Sequence, residues 1–153
     1  MKKFELILIA GALIVLLLTL LKVPYLSAVA SVFLLVLGTI YLYLGFALFN
    51  EIPLGKIFKT ESYKGLGKWR LGLAIGTGIG LSQLTVGFLL ALNKYPMTRS
   101  FLSFGLVITA SMLLLALIRN RSEKHRFYMI ISLRCAAFII IGVVVLLLYV
   151  QQV

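Results

Sequence analysis

The sequence contains few side chains that carry out chemistry in proteins. Its 153 residues include one cysteine, one histidine and four carboxylates. The single cysteine, Cys135, excludes an internal disulfide bond and any metal site built from several cysteines. The histidine, His125, lies among Arg121, Lys124 and Arg126, where a solvated loop residue is more common than a catalytic base. Since these residues assemble neither a catalytic triad nor a carboxylate pair, we expect neither an enzyme nor a bound cofactor or metal.

The carboxylates also avoid the middles of the long apolar segments. All four are glutamates, namely Glu5, Glu51, Glu61 and Glu123. Carboxylates within the membrane are common carriers of proton and ion coupling in transporters. The sequence therefore lacks most of the common routes to coupled transport.

Apolar residues, by contrast, are abundant. The chain is 62% hydrophobic and 12% charged, and its mean hydropathy is +1.13. A soluble domain is about half apolar and about one quarter charged, whereas a membrane-spanning helix needs about 20 mostly apolar residues. The sequence therefore predicts an all-α polytopic bundle, a single transmembrane domain of residues 1–153. Its five predicted spans are residues 4–21, 26–49, 71–92, 100–118 and 127–150.

The first span has a rival interpretation as a secretory signal. Lys2 and Lys3 precede the apolar core, and the small-residue stretch "AVAS" follows at 28–31. A signal core usually has about 7–15 residues, however, and this one covers 4–21. The supposed cleavage site also lies inside the next apolar run. We therefore interpret 4–21 as a transmembrane span.

The basic residues predict an orientation. Of the 15 Lys and Arg residues, 11 lie in the N-terminal tail and in the second and fourth loops, and three lie in the first and third turns. The positive-inside rule then places the N-terminus in the cytoplasm and the C-terminus outside a bacterial-type plasma membrane. Basic loops beside spans attract anionic lipid headgroups. Because no loop is long enough for a recognition fold, we expect membrane lipids and no nucleic acid as partners.

Two similar breaks separate apolar runs. "LLKVPYLSA" contains Lys22 and Pro24, and "LNKYPMTRS" contains Lys94 and Pro96, 72 positions later. Proline ends a helix, and lysine extends its ammonium to the headgroups while its stem stays apolar. Each break therefore predicts the tight outer turn of a helical hairpin. The chain then contains two hairpins of parallel topology and a fifth helix. The similarity of the two hairpins reflects either an internal repeat or convergence of short membrane turns on the same residues.

The first hairpin resembles the membrane part of GldL, from the gliding-motility and type 9 secretion motor of Bacteroidota. The stretch "GALIVLLLTLLKVPYLSAVASVFLLVLGT" is similar in the length and spacing of its apolar runs, and Gly38–Thr39 falls near the Gly-Thr of that family. The resemblance covers about a quarter of the chain and implies a setting in the cell envelope. Neither turn has the His-Trp-Pro-Gly stretch of the family, and its intramembrane glutamate falls at Ile40. The resemblance therefore does not imply proton-driven motor activity.

The third span carries a regular series of glycines. Gly72, Gly76 and Gly80 follow at four-residue steps, the small-xxx-small pattern through which membrane helices approach closely. Gly78 and Gly87 are interpreted as lying off that line. The series predicts helix packing, within the chain or between subunits, rather than a hinge or a substrate groove. A homo-oligomer or another membrane protein is therefore an expected partner.

Polar side chains inside the spans are candidate binding residues. Gln83, in the middle of the third span, either binds a substrate or bonds to another helix, since an unpaired amide is costly in lipid. Arg134 lies about 10 Å into the last span at 1.5 Å per residue. An intramembrane charge needs a partner, and Glu5, near the same end of the first span, is one. A lipid phosphate is another, and an arginine that extends to the headgroups is the simpler alternative.

The second loop, "NEIPLGKIFKTESYKGLGKWR", mixes apolar and basic residues. This composition is typical of a segment lying in the membrane interface, with Trp69 as an anchor. Its other apolar residues are Ile52, Leu54, Ile57 and Phe58. A partner protein is the alternative contact for this segment.

Two classes of function follow from these patterns. The first is a small integral membrane subunit or scaffold of an envelope complex, packing through glycine-lined helix faces. The second is a small transporter, channel or lipid-binding protein that uses Gln83 and Arg134 in its interior. Because acids are missing from the middles of the spans, the sequence favours the first class.

Overall fold

A computed structural model describes residues 5–7, 9–11, 26–57 and 59–152. Throughout these residues the chain is helical or forms turns and connections, without a β-strand. Four long helices are present, and each is long and apolar enough to cross a membrane. We label them α1 (Leu26–Phe49), α2 (Lys68–Leu92), α3 (Thr98–Glu123) and α4 (Arg126–Gln152). The predicted all-α fold is therefore confirmed for this part of the chain, with four helices that could cross a membrane.

The predicted first span is only partly described. Residues 5–7 and 9–11 are helical, and the remainder of 4–21 lies outside the described residues. The same holds for the first predicted turn, with Lys22 and Pro24. The span 4–21 and the hairpin repeat therefore stay predictions.

The four helices alternate in direction. At one end, the Asn93 side chain donates from Nδ2 to Ser31 Oγ at 2.9 Å, and the Tyr149 hydroxyl donates to the carbonyl oxygen of Tyr95 at 2.9 Å. At the other end, the Arg119 guanidinium lies 5.2 Å from the centre of the Trp69 ring. We call this second end, residues 49–70 and 119–127, the basic end. It holds both basic loops of the described chain.

Helix α2 is the central element. It packs against α1, α3 and α4. Within its most apolar window 61% of the residues are buried, compared with 22% in each of α3 and α4. The main core cluster combines residues of α1, α2, α3 and α4, including Tyr41, Leu81, Ala116 and Ile131. Most of the surface of α3 and α4 is therefore left to the surroundings of the bundle.

The turn between α2 and α3 has the structure that the lysine–proline pattern predicts. Lys94 adopts a left-handed conformation with φ 56°. The Tyr95 N–H donates to the carbonyl oxygen of Leu90 at 3.0 Å, which closes the end of α2. Pro96 follows, and α3 begins at Thr98. Proline at this position prevents α2 from continuing.

The long loop at the basic end folds back onto α1. It contains two short 3₁₀ helices, Leu54–Lys56 and Thr60–Tyr63. Ile52 and Ile57 are buried against Ala47, so these two residues cover the end of α1 instead of facing lipid as predicted. Trp69 is 65% exposed, which suits an interfacial anchor.

Candidate functional site

An ion pair lies buried inside the basic half of the bundle. Arg134 Nη2 donates to Glu5 Oε2 at 2.6 Å, and the Tyr41 hydroxyl donates to Glu5 Oε1 at 2.9 Å. The Glu5 side chain is only 3% exposed. Hydrogen bonds to an ionised carboxylate are shorter and stronger than bonds between neutral groups. The pairing of Glu5 with Arg134, considered from the sequence, is therefore present in the structure.

Aromatic rings lie beside this ion pair. The Arg134 guanidinium lies 5.2 Å from the centre of the Phe49 ring. Tyr41 stacks parallel to Phe49, with ring centres 6.4 Å apart, and meets Phe138 edge-on at 5.6 Å. Phe49 is the last residue of α1, so the arginine side chain extends toward the basic end as a snorkelling arginine does. Arg134 thus both pairs with an acid and lies against the aromatic ring at the end of α1.

The ion pair holds distant parts of the chain together. Glu5 belongs to the N-terminal segment, Tyr41 to α1 and Arg134 to α4. A buried pair gives little net stability over apolar packing, but the loss of one partner leaves a buried charge and is costly. We therefore interpret this network as a clamp that positions the N-terminal segment.

A pocket opens at the basic end, next to the clamp. It has a volume of about 270 Å³. Its walls come from the end of α1, the first turn of α2 and the junction between α3 and α4. The lining residues are Phe49, Asn50, Glu51, Arg70, His125, Arg126 and Phe127. Because Phe49 contacts Arg134 as well, its ring is shared between the clamp and the pocket.

Two buried polar atoms of the pocket residues lack hydrogen-bond partners in the described structure. The first is the donor Arg70 Nε, and the second is the acceptor Asn50 Oδ1. The orientation of the Asn50 amide is set by its Nδ2, which donates to the carbonyl oxygen of Phe46 at 2.8 Å. The Arg70 guanidinium lies 4.8 Å from the centre of the Phe127 ring, which fixes it beside the pocket. Unpartnered buried polar atoms are uncommon and call for an explanation.

The electrostatics of the pocket favour an anion on one side. Arg70 lies in the first turn of α2 and Arg126 begins α4, so the positive ends of two helix dipoles add to two guanidinium charges. His125 Nδ1 accepts a hydrogen bond from the Phe127 N–H at 3.1 Å. In the neutral imidazole this leaves Nε2–H as a donor. Guanidinium groups bind phosphate with several parallel hydrogen bonds, so this side suits a phosphate.

Gln83 is not part of this site. It lines a separate groove between α2 and α3, with a volume of about 370 Å³, together with Met97, Ser100, Phe101, Phe104 and Ile108. At 1.5 Å per residue, Gln83 lies about 22 Å along α2 from the basic end and Arg134 about 12 Å along α4. Gln83 and Arg134 therefore lie at different levels of the bundle and do not form one site, and the role of each in binding stays a prediction.

The predicted glycine series is only partly a packing surface. A Cβ atom on Gly76 would lie 2.5 Å from Met112 Sδ, and one on Gly80 would lie 2.7 Å from Thr109 Oγ1, so both face α3. A Cβ atom on Gly72 would meet nothing within 4 Å. Four-residue steps turn by about 40° on a helix of 3.6 residues per turn. Gly72 is therefore rotated by about 80° from Gly80 and leaves the contact.

Two other glycines make the close approaches that the pattern missed. A Cβ atom on Gly87 would lie 2.6 Å from Leu102 Cδ2, so Gly87 belongs to the face toward α3. On the opposite side of α2, a Cβ atom on Gly78 would lie 2.5 Å from the carbonyl oxygen of Tyr41 in α1. Seven-residue steps return within about 20° of the same face, which would have identified Gly87 from the sequence.

No sequence pattern indicated Asn50 and Glu51 as site residues. Both lie in a loop that reads as an ordinary basic connection. A possible signal was the departure from the usual sequence of a helix end, since glycine is common there and "FNEIP" contains none. The pocket itself depends on segments more than 50 residues apart in the chain, Asn50 and His125 among them, and no local pattern reveals such a meeting.

Comparisons with known proteins add no relative to this description. The resemblance of the first hairpin to GldL stays a prediction, since no match tests it. The chain matches no protein-family model, no curated protein and no solved structure at a significant level.

Proposed function

We propose that this protein is a small integral membrane protein that binds a phospholipid headgroup by its phosphate at the basic end of the bundle. The observation that carries the proposal is the convergence of Arg70, His125 and Arg126 on one pocket. These residues come from two helix N-termini that are separated in the sequence and adjacent in space. Basic pockets between membrane helices commonly hold lipid headgroups.

The position of the pocket supports a lipid rather than a solute. It lies beside Trp69, which is 65% exposed near the start of α2, and tryptophan is typical of the membrane–water boundary. Following the distribution of Lys and Arg, the basic end faces the cytoplasm in this proposal. A headgroup in the pocket would then belong to a lipid of the inner leaflet.

The subunit or scaffold that the sequence favoured stays a prediction. Its expected contact surface was the series Gly72, Gly76 and Gly80. Two of these glycines face α3 of the same chain, and a Cβ atom on the third would meet nothing within 4 Å. The lipid-binding alternative now has the more specific support, since it accounts for the unpartnered Arg70 Nε.

The experiment is native mass spectrometry of the purified full-length protein titrated with phosphatidylglycerol. We expect saturable binding of one lipid to the wild type, and weaker binding to Arg70→Gln and Arg126→Gln. Each lost charge-assisted contact should reduce affinity by about tenfold or more, since such bonds contribute about 1.5–3 kcal/mol and about 1.4 kcal/mol is tenfold. The matched control is Arg121→Gln, which removes an exposed charge from the same end outside the pocket.

The comparison of these variants decides the proposal. Arg121→Gln binds like the wild type if the pocket is the site. Equal losses for Arg70→Gln and Arg121→Gln would mean that only the overall positive charge attracts lipid, and the proposal would be abandoned. Arg70→Lys keeps the charge and removes the planar fork, so it should retain only part of the affinity.

A further inference from the structure

The residue that completes the pocket, Glu51, has an unusual backbone conformation. Its φ is 60°, in the left-handed region. The Glu51 N–H donates to the carbonyl oxygen of Leu48 at 3.3 Å, and the Ile52 N–H donates to that of Ala47 at 2.9 Å. Ile52 and Ala47 also pack together. These contacts define a Schellman motif that ends α1, with Glu51 at the position that glycine usually occupies.

Glutamate is locally unfavourable at this position for two reasons. A side chain other than glycine is strained at positive φ. A carboxylate near a helix C-terminus also opposes the negative end of the helix dipole. The other two non-glycine residues with positive φ in the described chain are Lys94 and Lys124, whose ammonium groups complement the dipole. Glu51 alone among the three disfavours the helix end on both counts.

Strained residues persist where the surroundings or a function require them, and Glu51 lines the pocket. The two sides of the pocket carry charges of opposite sign. The N-termini of α2 and α4, with Arg70 and Arg126, make one side positive. The C-terminus of α1, with the Glu51 carboxylate and the unpartnered acceptor Asn50 Oδ1, makes the other side negative. An anionic headgroup would satisfy Arg70 Nε and leave Asn50 Oδ1 without a donor.

We propose that the pocket is specific for a zwitterionic aminophospholipid, whose phosphate binds to Arg70 and Arg126 and whose primary ammonium donates to Glu51 and Asn50 Oδ1. In phosphoethanolamine two carbon atoms separate the phosphate from the ammonium, so one headgroup presents both charges to the same pocket. This assignment rests on the proposed function and adds the chemical class of the ligand. A carboxylate accepts several donors at once, so other contacts of Glu51 are compatible with it.

A choline headgroup fits the same pocket less well. Its quaternary ammonium has no N–H to donate to Glu51 or Asn50, and proteins usually bind it between aromatic faces. The two aromatic rings of the pocket already carry arginines, since Arg70 lies over Phe127 and Arg134 over Phe49. The primary ammonium is therefore the better match.

The test is native mass spectrometry of the full-length protein with phosphatidylethanolamine, phosphatidylcholine and phosphatidylglycerol of identical acyl chains. We expect the wild type to prefer phosphatidylethanolamine over each of the other two by about tenfold, the effect of a charge-assisted hydrogen bond. Glu51→Gln should lose this preference while it still binds phosphatidylglycerol. The matched control Glu61→Gln, an exposed acid of the same loop outside the pocket, should keep it.

Glu51→Gly provides a second variant that removes the carboxylate and suits the left-handed backbone. If both Glu51 variants keep the preference for phosphatidylethanolamine, the assignment of the ammonium site is overturned and the phosphate site stands. If wild-type protein binds the three lipids equally, the assignment is likewise overturned. Failure of the proposed function gives a different result, namely binding that Arg70→Gln leaves unchanged.

Soluble phosphoethanolamine distinguishes a lipid from a free metabolite with the same chemistry. We expect it to compete only weakly, because it lacks acyl chains to bury beside the helices. Saturable binding of soluble phosphoethanolamine without binding of phosphatidylethanolamine would overturn the lipid assignment.

Discussion

Glu5 and Arg134 lie 129 positions apart in the chain, and their side chains meet at 2.6 Å. This ion pair joins the first described residues to the last helix, and the Tyr41 hydroxyl of α1 contacts the same carboxylate. Three segments therefore depend on one buried acid.

Removal of the acid should destabilise the bundle. In Glu5→Gln the Arg134 guanidinium loses its carboxylate in a mostly buried site, which costs about 3 kcal/mol. Thermal unfolding in detergent measures the effect, with the exposed Glu61→Gln as control. The double variant Glu5→Met/Arg134→Met should recover most of the stability, since apolar residues of similar size replace a buried pair without penalty. Equal stability of Glu5→Gln and the wild type would show that the pair is not a clamp.

Two glycines of α2 should respond oppositely to the same change. In Gly78→Ala the new methyl group would lie 2.5 Å from the carbonyl oxygen of Tyr41, so α1 and α2 must separate. We expect a loss of about 1–3 kcal/mol from this overpacking. Gly72→Ala meets nothing within 4 Å and should gain up to about 1 kcal/mol in helix propensity. Thermal unfolding of the two variants, measured in parallel, tests these opposite effects on stability. Unfolding temperatures that shift in the same direction would contradict the prediction.

A third substitution separates packing within the chain from packing between chains. Gly80→Leu places its side chain against Thr109 of α3, so it should destabilise the fold equally at every protein concentration. A contact between subunits would instead make the loss depend on concentration. Unfolding midpoints measured over a hundredfold range of concentration decide between the two.

The predicted spans and the observed helices agree best where hydropathy alone determines the position of the helix. The predicted span 26–49 and the observed α1, Leu26–Phe49, coincide. Helix α3 extends beyond the predicted 100–118 to Thr98 and Glu123. Hydropathy marks the apolar length of a helix, whereas backbone hydrogen bonding continues the helix beyond that length through polar residues such as Arg119. The true helix ends were therefore not predictable from apolar content.

The candidate site, unlike the helix positions, was largely not predictable from the sequence. The sequence predicts Arg134 as a site residue because a charge inside a span is rare. It predicts Glu5 as the partner because the two residues lie near the same end of their predicted spans. The role of Glu51 depends on a helix end, a φ angle and two other helices that arrive at the same place. Each of these is a property of the packed chain. Local sequence reveals which groups need partners, but the tertiary structure decides which partners they meet.

Orientation in the membrane can be tested with the single native cysteine removed. In a Cys135→Ala background, Lys64→Cys should react with a membrane-impermeant maleimide only after the cells are opened. Met97→Cys, at the opposite end and 61% exposed, should react in intact cells once the outer barriers are permeabilised. The physical reason is the excess of Lys and Arg at the basic end, which favours the cytoplasmic side. The reverse pattern of labelling would invert the proposed topology.

The clamp has a consequence for the order of biogenesis. Synthesis runs from the N-terminus, so the guanidinium that pairs with Glu5 is made 129 residues later. A chain that stops before α4 lacks that cation, and a buried carboxylate without its partner is unfavourable. The N-terminal segment therefore gains this contact only when the last helix joins the bundle. Docking of α4 thus acts as the closing step of assembly, and truncated products lack the contact that secures their own beginning.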